Sequence, residues 1–514
     1  MSFSSTSSID GLTMPSRLRG LYQAQKSDIR INLNNRRSVY TTLDKIEGVV
    51  EITASVDTSF DSIDVEFVGT SRTYVERLTT AAAISGRSEA FHQFLKLQQP
   101  RMHQHYPDDY VLKAGETYKF PFLFVVPQQL LPRVCQHKVV SDSLREAHLQ
   151  LPPSFGDRDA APKAETPDDM VPDMASIRYG VFARISKNKE HGDDIVRTTV
   201  ASKARRLRVL PVTDEMPPLD VSSDDSEYTM RKERSMRKGM LKGKLGTLVM
   251  EASQPPSMRL RAHSAGEQQP AMATIMLRFD PYEENCPPPR LGSLATKLKV
   301  CTFFASNARH GYPTKQASLL DLSQGLHTEQ LSLSSRCVAG VEWTRHSGND
   351  QVRRDSACST SSTTMGQAPE ASANFKGKSY YVARVLVPIN LPSTKTFVPT
   401  FHSCLVSRIY QLKFELGLHT AGLGGTVDLK VPLQVAYEAG NGDSPRRGSI
   451  ASGMEMEMDD EDVGDFFESR TVHIPDAQFT GRSRIGSHAP VQDDAPPGYS
   501  FFAPQANDSR VPVF

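Results

Sequence analysis

Residues 111–132 read VLKAGETYKFPFLFVVPQQLLP. Tyr118, Phe120, Phe122, Phe124 and Val126 recur at every second position, the period of a strand with one buried face. Gly115 and Glu116 supply a turn before it, and Pro127 and Pro132 end it. Pro121 has no backbone donor, so the strand belongs at a sheet edge or is irregular there. Phe120, Phe122 and Phe124 are core residues on this reading.

The same period appears on both sides of this stretch. Upstream, DIRINLNNRRSVYTTLDKIEGVVEITASV (28–56) reads as two strands around a turn, with Ile29, Ile31 and Leu33 alternating. SIDVEFVGTSRTYVE (62–76) puts Ile63, Val65 and Phe67 toward a core and Asp64 and Glu66 toward water. The segment from about Leu78 to Asp109 reads as an insertion holding a short helix or a loop. Downstream, HLQLPPSFG (148–156) reads as extended, 157–173 as a polar loop, and ASIRYGVFARIS (175–186) as a strand. KARRLRVLPV (203–212) reads as a strand with a basic approach.

A charged stretch, 211–239, reads as a basic linker. Five further strand patterns follow: ATIMLRF, TKLKVCTFFA, SYYVARVLVPI, SRIYQLKFELGL and GTVDLKVPLQVAY. In the fourth, Tyr410, Leu412, Phe414 and Leu416 oppose Gln411, Lys413 and Glu415; in the fifth, Val427, Leu429, Val431, Leu433 and Val435 line one side. Residues 345–375 interrupt this second part as an expected mobile loop. After Tyr437 no period survives, and an acidic run from Glu455 to Glu468 supports a disordered tail. Sheets with one apolar face bury it against a second sheet. The length of 514 residues accommodates two such sandwiches.

The run from Val39 to Phe67, LKAGETYKFPFLFVVPQQLLPRVC, HLQLPPSFGD and IRYGVFARI together resemble the N-terminal domain of fungal alpha-arrestins, the arrestin-related trafficking adaptors. IYQLKFEL and VDLKVPLQV resemble the end of the arrestin C-terminal domain. The resemblance implies an all-β fold: two arrestin-like immunoglobulin-type β-sandwich domains in tandem, with long loops and a disordered C-terminal tail. On it the chain divides into a flexible N-terminus (1–27), an N-terminal domain (28–210), the basic linker (211–239), a C-terminal domain (240–437) and a tail (438–514). It also implies a cytoplasmic adaptor, recruited peripherally to the plasma membrane and to endosomes or Golgi. Such an adaptor brings a HECT-type ubiquitin ligase, through its WW domains, to a membrane transporter or receptor for ubiquitylation, endocytosis and sorting. The alternative is a retromer-like scaffold on the same fold that acts without a ligase. In arrestins, buried opposite charges between the lobes hold the resting orientation; no motif here assigns those residues.

The sharpest motif is Pro496-Pro497-Gly498-Tyr499, a single copy of the family's ligase-binding pattern. Paired prolines hold a polyproline II shape suited to an aromatic groove, Gly498 lets the backbone turn, and Tyr499 fills the neighbouring pocket. Arg231, Lys232, Arg234, Arg237 and Lys238 form a candidate surface for anionic lipid or an acidic cargo segment, as does 203–208. The bland reading of both is a solvated charged face. Ser449 and Ser356 follow paired arginines and are candidate phosphorylation sites. Lys187 and Lys189 are candidate ubiquitin acceptors by family analogy only, and neither is singled out.

The charge balance, 60 basic against 59 acidic residues, argues against nucleic acid as a partner. Six cysteines form no dense framework, which points to a reducing compartment. No stretch of about 18 apolar residues is present. His92, His103, His105 and His137 lack paired spacing with cysteines, there is no CxxC, and Cys135 and Cys404 read as core thiols, so no metal or other cofactor is expected. No nucleophile elbow or phosphate loop supports an enzyme, and a hydrolase on β-sandwiches lacks a candidate acid or base.

Overall fold

The alternating phenylalanines become an outer strand of the first lobe. This is a computed structural model that describes residues 27–35, 37–77, 86–156, 168–191, 194–237, 243–261, 270–347, 368–419 and 425–438. The first lobe holds β1 (Asp28–Leu33), β2 (Lys45–Thr53), β3 (Thr58–Ser59), β4 (Ser62–Arg77), β5 (Gly86–Gln98), β6 (Val111–Leu112), β7 (Thr117–Val125), β8 (Ala175–His191) and β9 (Asp194–Leu207). One sheet runs β1–β2–β7 and the facing one β5–β4–β8–β9, while β3 and β6 pair separately. Pro121 therefore lies on an edge strand, opposite Val49, where its missing donor costs the sheet no bond. Ile46, Val50 and Ile52 of β2, the β7 phenylalanines, and Ile63, Val65 and Phe67 of β4 close one core. The Phe67 and Phe124 rings meet across it at 6.1 Å.

The second lobe holds β10 (Arg231–Arg237), β11 (Lys244–Ala252), β12 (Met258–Arg261), β13 (Ala271–Pro281), β14 (Arg290–Ala305), β15 (Gln324–Cys337), β16 (Thr344–Ser347), β17 (Ser379–Ile389), β18 (Phe401–His402), β19 (Val406–His419), β20 (Gly425–Leu433) and β21 (Val435–Glu438). One sheet is β10–β11–β13–β17–β16, and the other is β15–β14–β19–β18 with β20 also on β19. Leu298, Val300, Tyr410, Leu412, Phe414, Leu429 and Val431 share a core with Ile275, Leu277 and Val385. The order of sheets is that of two β-sandwiches in tandem, as expected.

Several local expectations are corrected. Residues 86–98 are a full strand, β5, rather than a short helix or loop. Residues 231–237 are not part of a linker but the edge strand β10, paired with β11 along its length. Asp64 and Glu66 do not face open water: long basic side chains cover them, with Arg197 on Asp64 and Lys96 on Glu66 at 3.1 Å. His148 and Leu149 end a helix, α1 (Asp142–Leu149), capped by Ser141, whose Oγ accepts the Leu144 N–H; the extended run starts after it. Part of the expected mobile loop is pinned. The Pro369 carbonyl accepts from Arg278, and the Ser372 N–H donates to Asp280 at 2.7 Å.

Candidate functional site at the seam of the two lobes

The lobes meet where a tight turn of the first presents carbonyls to an arginine of the second. Asp168 accepts the Met170 N–H, and Asp169 accepts those of Val171 and Gly156. These bonds hold Met170 at φ 56°, a left-handed conformation that costs a side-chain-bearing residue about 1–2 kcal/mol. The turn aims the Asp169 and Met170 carbonyls at Arg408 of β19, whose Nη2 donates to both at 3.1 and 3.2 Å. Arg408 is fully buried and lies over the Phe155 ring at 4.7 Å. Burial lowers its pKa, and its Nε and Nη1 find no partner among the described residues. Around it, Phe155 packs edge-on against Phe401 at 5.5 Å, and Thr73 donates to the Ala305 carbonyl at 2.6 Å. Lys395 bridges Asp168 at 2.7 Å and Glu329 at 3.3 Å. A second buried arginine, Arg309, donates to Ser407 at 2.9 Å, and burial pulls it down to about 9.

One end of this seam collects sulfur and imidazole. Cys135 follows a 3-10 turn (Pro132–Val134), His137 comes two residues later, His148 sits in the last turn of α1, and Cys404 lies between β18 and β19. All four are buried, and one ligand atom from each lies within 4.8 Å of the others. Cys135 Sγ is 3.3 Å from His137 Nε2 and 3.5 Å from His148 Nδ1. Hydrogen bonding with Cys404, and then with the two imidazoles, holds the Cys135 thiol well below its usual range. Two nearby histidines are kept neutral by burial, His92 at about 4 and His402 at about 3. Cys135 and Cys404 are core thiols as expected, but they are not isolated ones. Sequence spacing missed the group because its fourth member comes from the other lobe; Cys135-x-His137 with His148 was the visible part of the signal.

A basic cleft of about 200 Å³ lies on the outer face of the second lobe, lined by Lys297, Lys299, Lys315, Gln330, Gln411, Lys413 and Lys430. Strand alternation explains it, since Leu298, Leu412 and Val431 point inward and the lysines outward. Glu415 bridges Lys297 at 2.8 Å and Lys413 at 2.6 Å, and Glu227 holds Lys315 at 2.9 Å. Lys297 first, then Lys413, keeps the Glu415 carboxyl below the usual glutamate range. A depressed carboxyl stabilises the fold above its unfolded pKa and stops doing so as pH falls through its folded one. Glu415→Gln is therefore expected to cost less than about 1 kcal/mol at pH 7. The gap from wild type should close as pH falls below about 4.5. Thermal melts of both proteins across pH 3–7 check this; a gap that widens with acid contradicts it.

Residues 29–201, almost the whole first sandwich, match the family described as Arrestin (or S-antigen), N-terminal domain. Residues 320–437, which end the second sandwich, match the family described as Bul1 C terminus. The chain belongs to the alpha-arrestin family. A comparison with curated proteins gave no match.

In this alpha-arrestin the sequence-derived surface residues are placed unevenly. Arg231 pairs with Glu233 at 2.7 Å and Glu251 at 3.2 Å, and donates to the Glu370 and Ala371 carbonyls. Lys232 pairs with Asp428, and Arg234 donates to the Thr426 carbonyl. These three cations thus hold the edge strand of the arrestin C-lobe, while Arg237 is exposed at its end. Arg205, in the other basic stretch, donates to the Ile31 carbonyl within the N-lobe. Lys187 donates to Ser59, and Lys189 is exposed on β8. Lys238, Ser356, Ser449 and Pro496-Pro497-Gly498-Tyr499 lie outside the described residues. Among the described residues no helix is long and apolar enough to cross a membrane.

Proposed function

We propose that this alpha-arrestin is an adaptor that joins a WW-domain HECT ubiquitin ligase to a membrane transporter or receptor. The observation that carries the reading is the succession of an arrestin N-terminal domain, a Bul1 C-terminal domain and, beyond both, Pro496-Pro497-Gly498-Tyr499. The work is binding rather than bond chemistry. The body selects cargo, and the tail raises the ligase concentration near cargo lysines. Cargo ubiquitylation, endocytosis and sorting follow from that proximity, and the protein acts from the cytoplasm at the plasma membrane, with endosomes or Golgi as further stations.

Anionic contact is assigned first to the lysine cleft, where five lysines face two carboxylates, Glu415 and Glu227, and to the exposed end of β10; Arg231, Lys232 and Arg234 are bound to carboxylates and carbonyls of the fold. Such a surface suits anionic lipid headgroups or an acidic cargo segment. Ser356 and Ser449, beside arginine pairs, are the proposed points of phosphate control. The decisive test of ligase capture is titration of a tail peptide spanning 485–514 against isolated WW domains. Tyr499→Ala is expected to weaken binding at least tenfold, and equal affinity of the two peptides would end the proposal.

A further inference from the structure

We propose that Cys135, His137, His148 and Cys404 bind one Zn²⁺ that ties the N-lobe to the C-lobe. The donor set is two thiols and two imidazoles, the composition of a closed structural zinc site. Zinc with bonds of about 2.3 Å to sulfur and about 2.0–2.1 Å to nitrogen makes each S–N edge of its tetrahedron about 3.5 Å long. The two sulfur–nitrogen separations here are 3.3 and 3.5 Å. The remaining pairs also lie within 4.8 Å, so the ligand atoms need move by no more than about an ångström to enclose the ion.

The surroundings favour a metal over a plain hydrogen-bonded cluster. His137 Nδ1 donates to the Lys138 carbonyl at 3.3 Å, which leaves the Nε2 lone pair facing the centre. That is the outer contact that fixes a ligating imidazole's tautomer. Arg145 donates to the Cys135 carbonyl at 2.9 Å and fixes that backbone. With both cysteines as thiolates and both imidazoles neutral, Zn²⁺ completes an assembly of no net charge, and the protons it displaces pass to water. A neutral assembly suits a site whose four side chains are 1–9% exposed. Ala308 packs beside the two thiols and keeps water out.

The placement gives the ion a task. Three ligands belong to the 135–148 segment of the N-lobe, and Cys404 belongs to the β18–β19 turn of the C-lobe. Two hydrogen bonds already cross at the same point, Val140 N–H to the His310 carbonyl at 2.8 Å and His310 Nδ1–H to the Lys138 carbonyl at 2.7 Å. A zinc ion here would make that crossing a clamp next to the Arg408 contact.

The test is elemental analysis of the purified full chain for zinc, copper and iron after dialysis against a weak chelator. About one zinc per chain is expected, retained in Cys337→Ser, whose thiol is exposed, and reduced at least tenfold in His148→Ala and Cys404→Ser. Should those variants fail to fold, Co²⁺ exchanged into the wild-type chain decides, through the visible spectrum of a tetrahedral thiolate site. Less than one zinc per ten chains, copper or iron in its place, zinc undiminished in folded ligand variants, an octahedral cobalt spectrum, or a Cys135–Cys404 disulfide by mass spectrometry would each overturn the assignment.

Discussion

Phe122→Ala is expected to lower the stability of the N-lobe by about 3–5 kcal/mol. The ring is buried in the first core, 5.7 Å from that of Phe124, and covers the backbone of Gly48 on the paired strand. A Cβ at Gly48 would stand 2.6 Å from Phe122 Cζ and 2.2 Å from the Asn32 carbonyl oxygen. The second clash is with backbone, so removing the ring does not relieve it. Gly48→Ala should therefore be destabilising by about 1–3 kcal/mol even in the Phe122→Ala background. Urea denaturation followed by circular dichroism measures both. A Phe122→Ala loss below about 1 kcal/mol would mean that the two sheets do not close on this ring.

The second large effect is expected at the seam. Arg408→Ala removes a buried guanidinium, opens a cavity and leaves the Asp169 and Met170 carbonyls without their donor. A buried acceptor left without its donor costs about 1–3 kcal/mol, and the cavity adds to that. Arg408→Met fills most of the volume and spares the desolvation of a charge, so it should cost distinctly less than alanine. The readout is the same denaturation series, with hydrogen exchange of the 168–171 amides as the local probe. Both variants within about 0.5 kcal/mol of wild type would show that the turn and the arginine do not hold each other.

The sandwiches were legible wherever one strand face is apolar and the other is not. Phe120, Phe122 and Phe124 alternate cleanly around an edge proline, and Tyr410, Leu412, Phe414 and Leu416 do the same in the C-lobe. Legibility failed at strands without a dry face. In β10 only Met236 is buried, and its charges are ion-paired along an edge, so RKERSMR looks like a linker. Strand β5 is mostly half-buried, and its pairing shifts register opposite Gly69, which puts the adjacent Phe94 and Leu95 both inside. That shift erases the period of two. Asp64 and Glu66 read as water-facing because alternation reports the face of a sheet, not what long cations fold over it.

The seam was beyond reach for another reason. Arg408 and its carbonyls, and Cys404 and its imidazoles, come from opposite lobes and share no local pattern. The tyrosine motif lies outside the described residues and is read from the sequence alone.

On the proposed function the body holds cargo and the tail holds the ligase. Affinity purification of the intact chain and of its Tyr499→Ala form from cells, with quantitative mass spectrometry of what each captures, tests that division directly. The expected result is that the substitution removes a WW-containing HECT ligase and leaves a membrane transporter or receptor bound. Equal ligase recovery with both forms, or cargo lost together with the ligase, would contradict it.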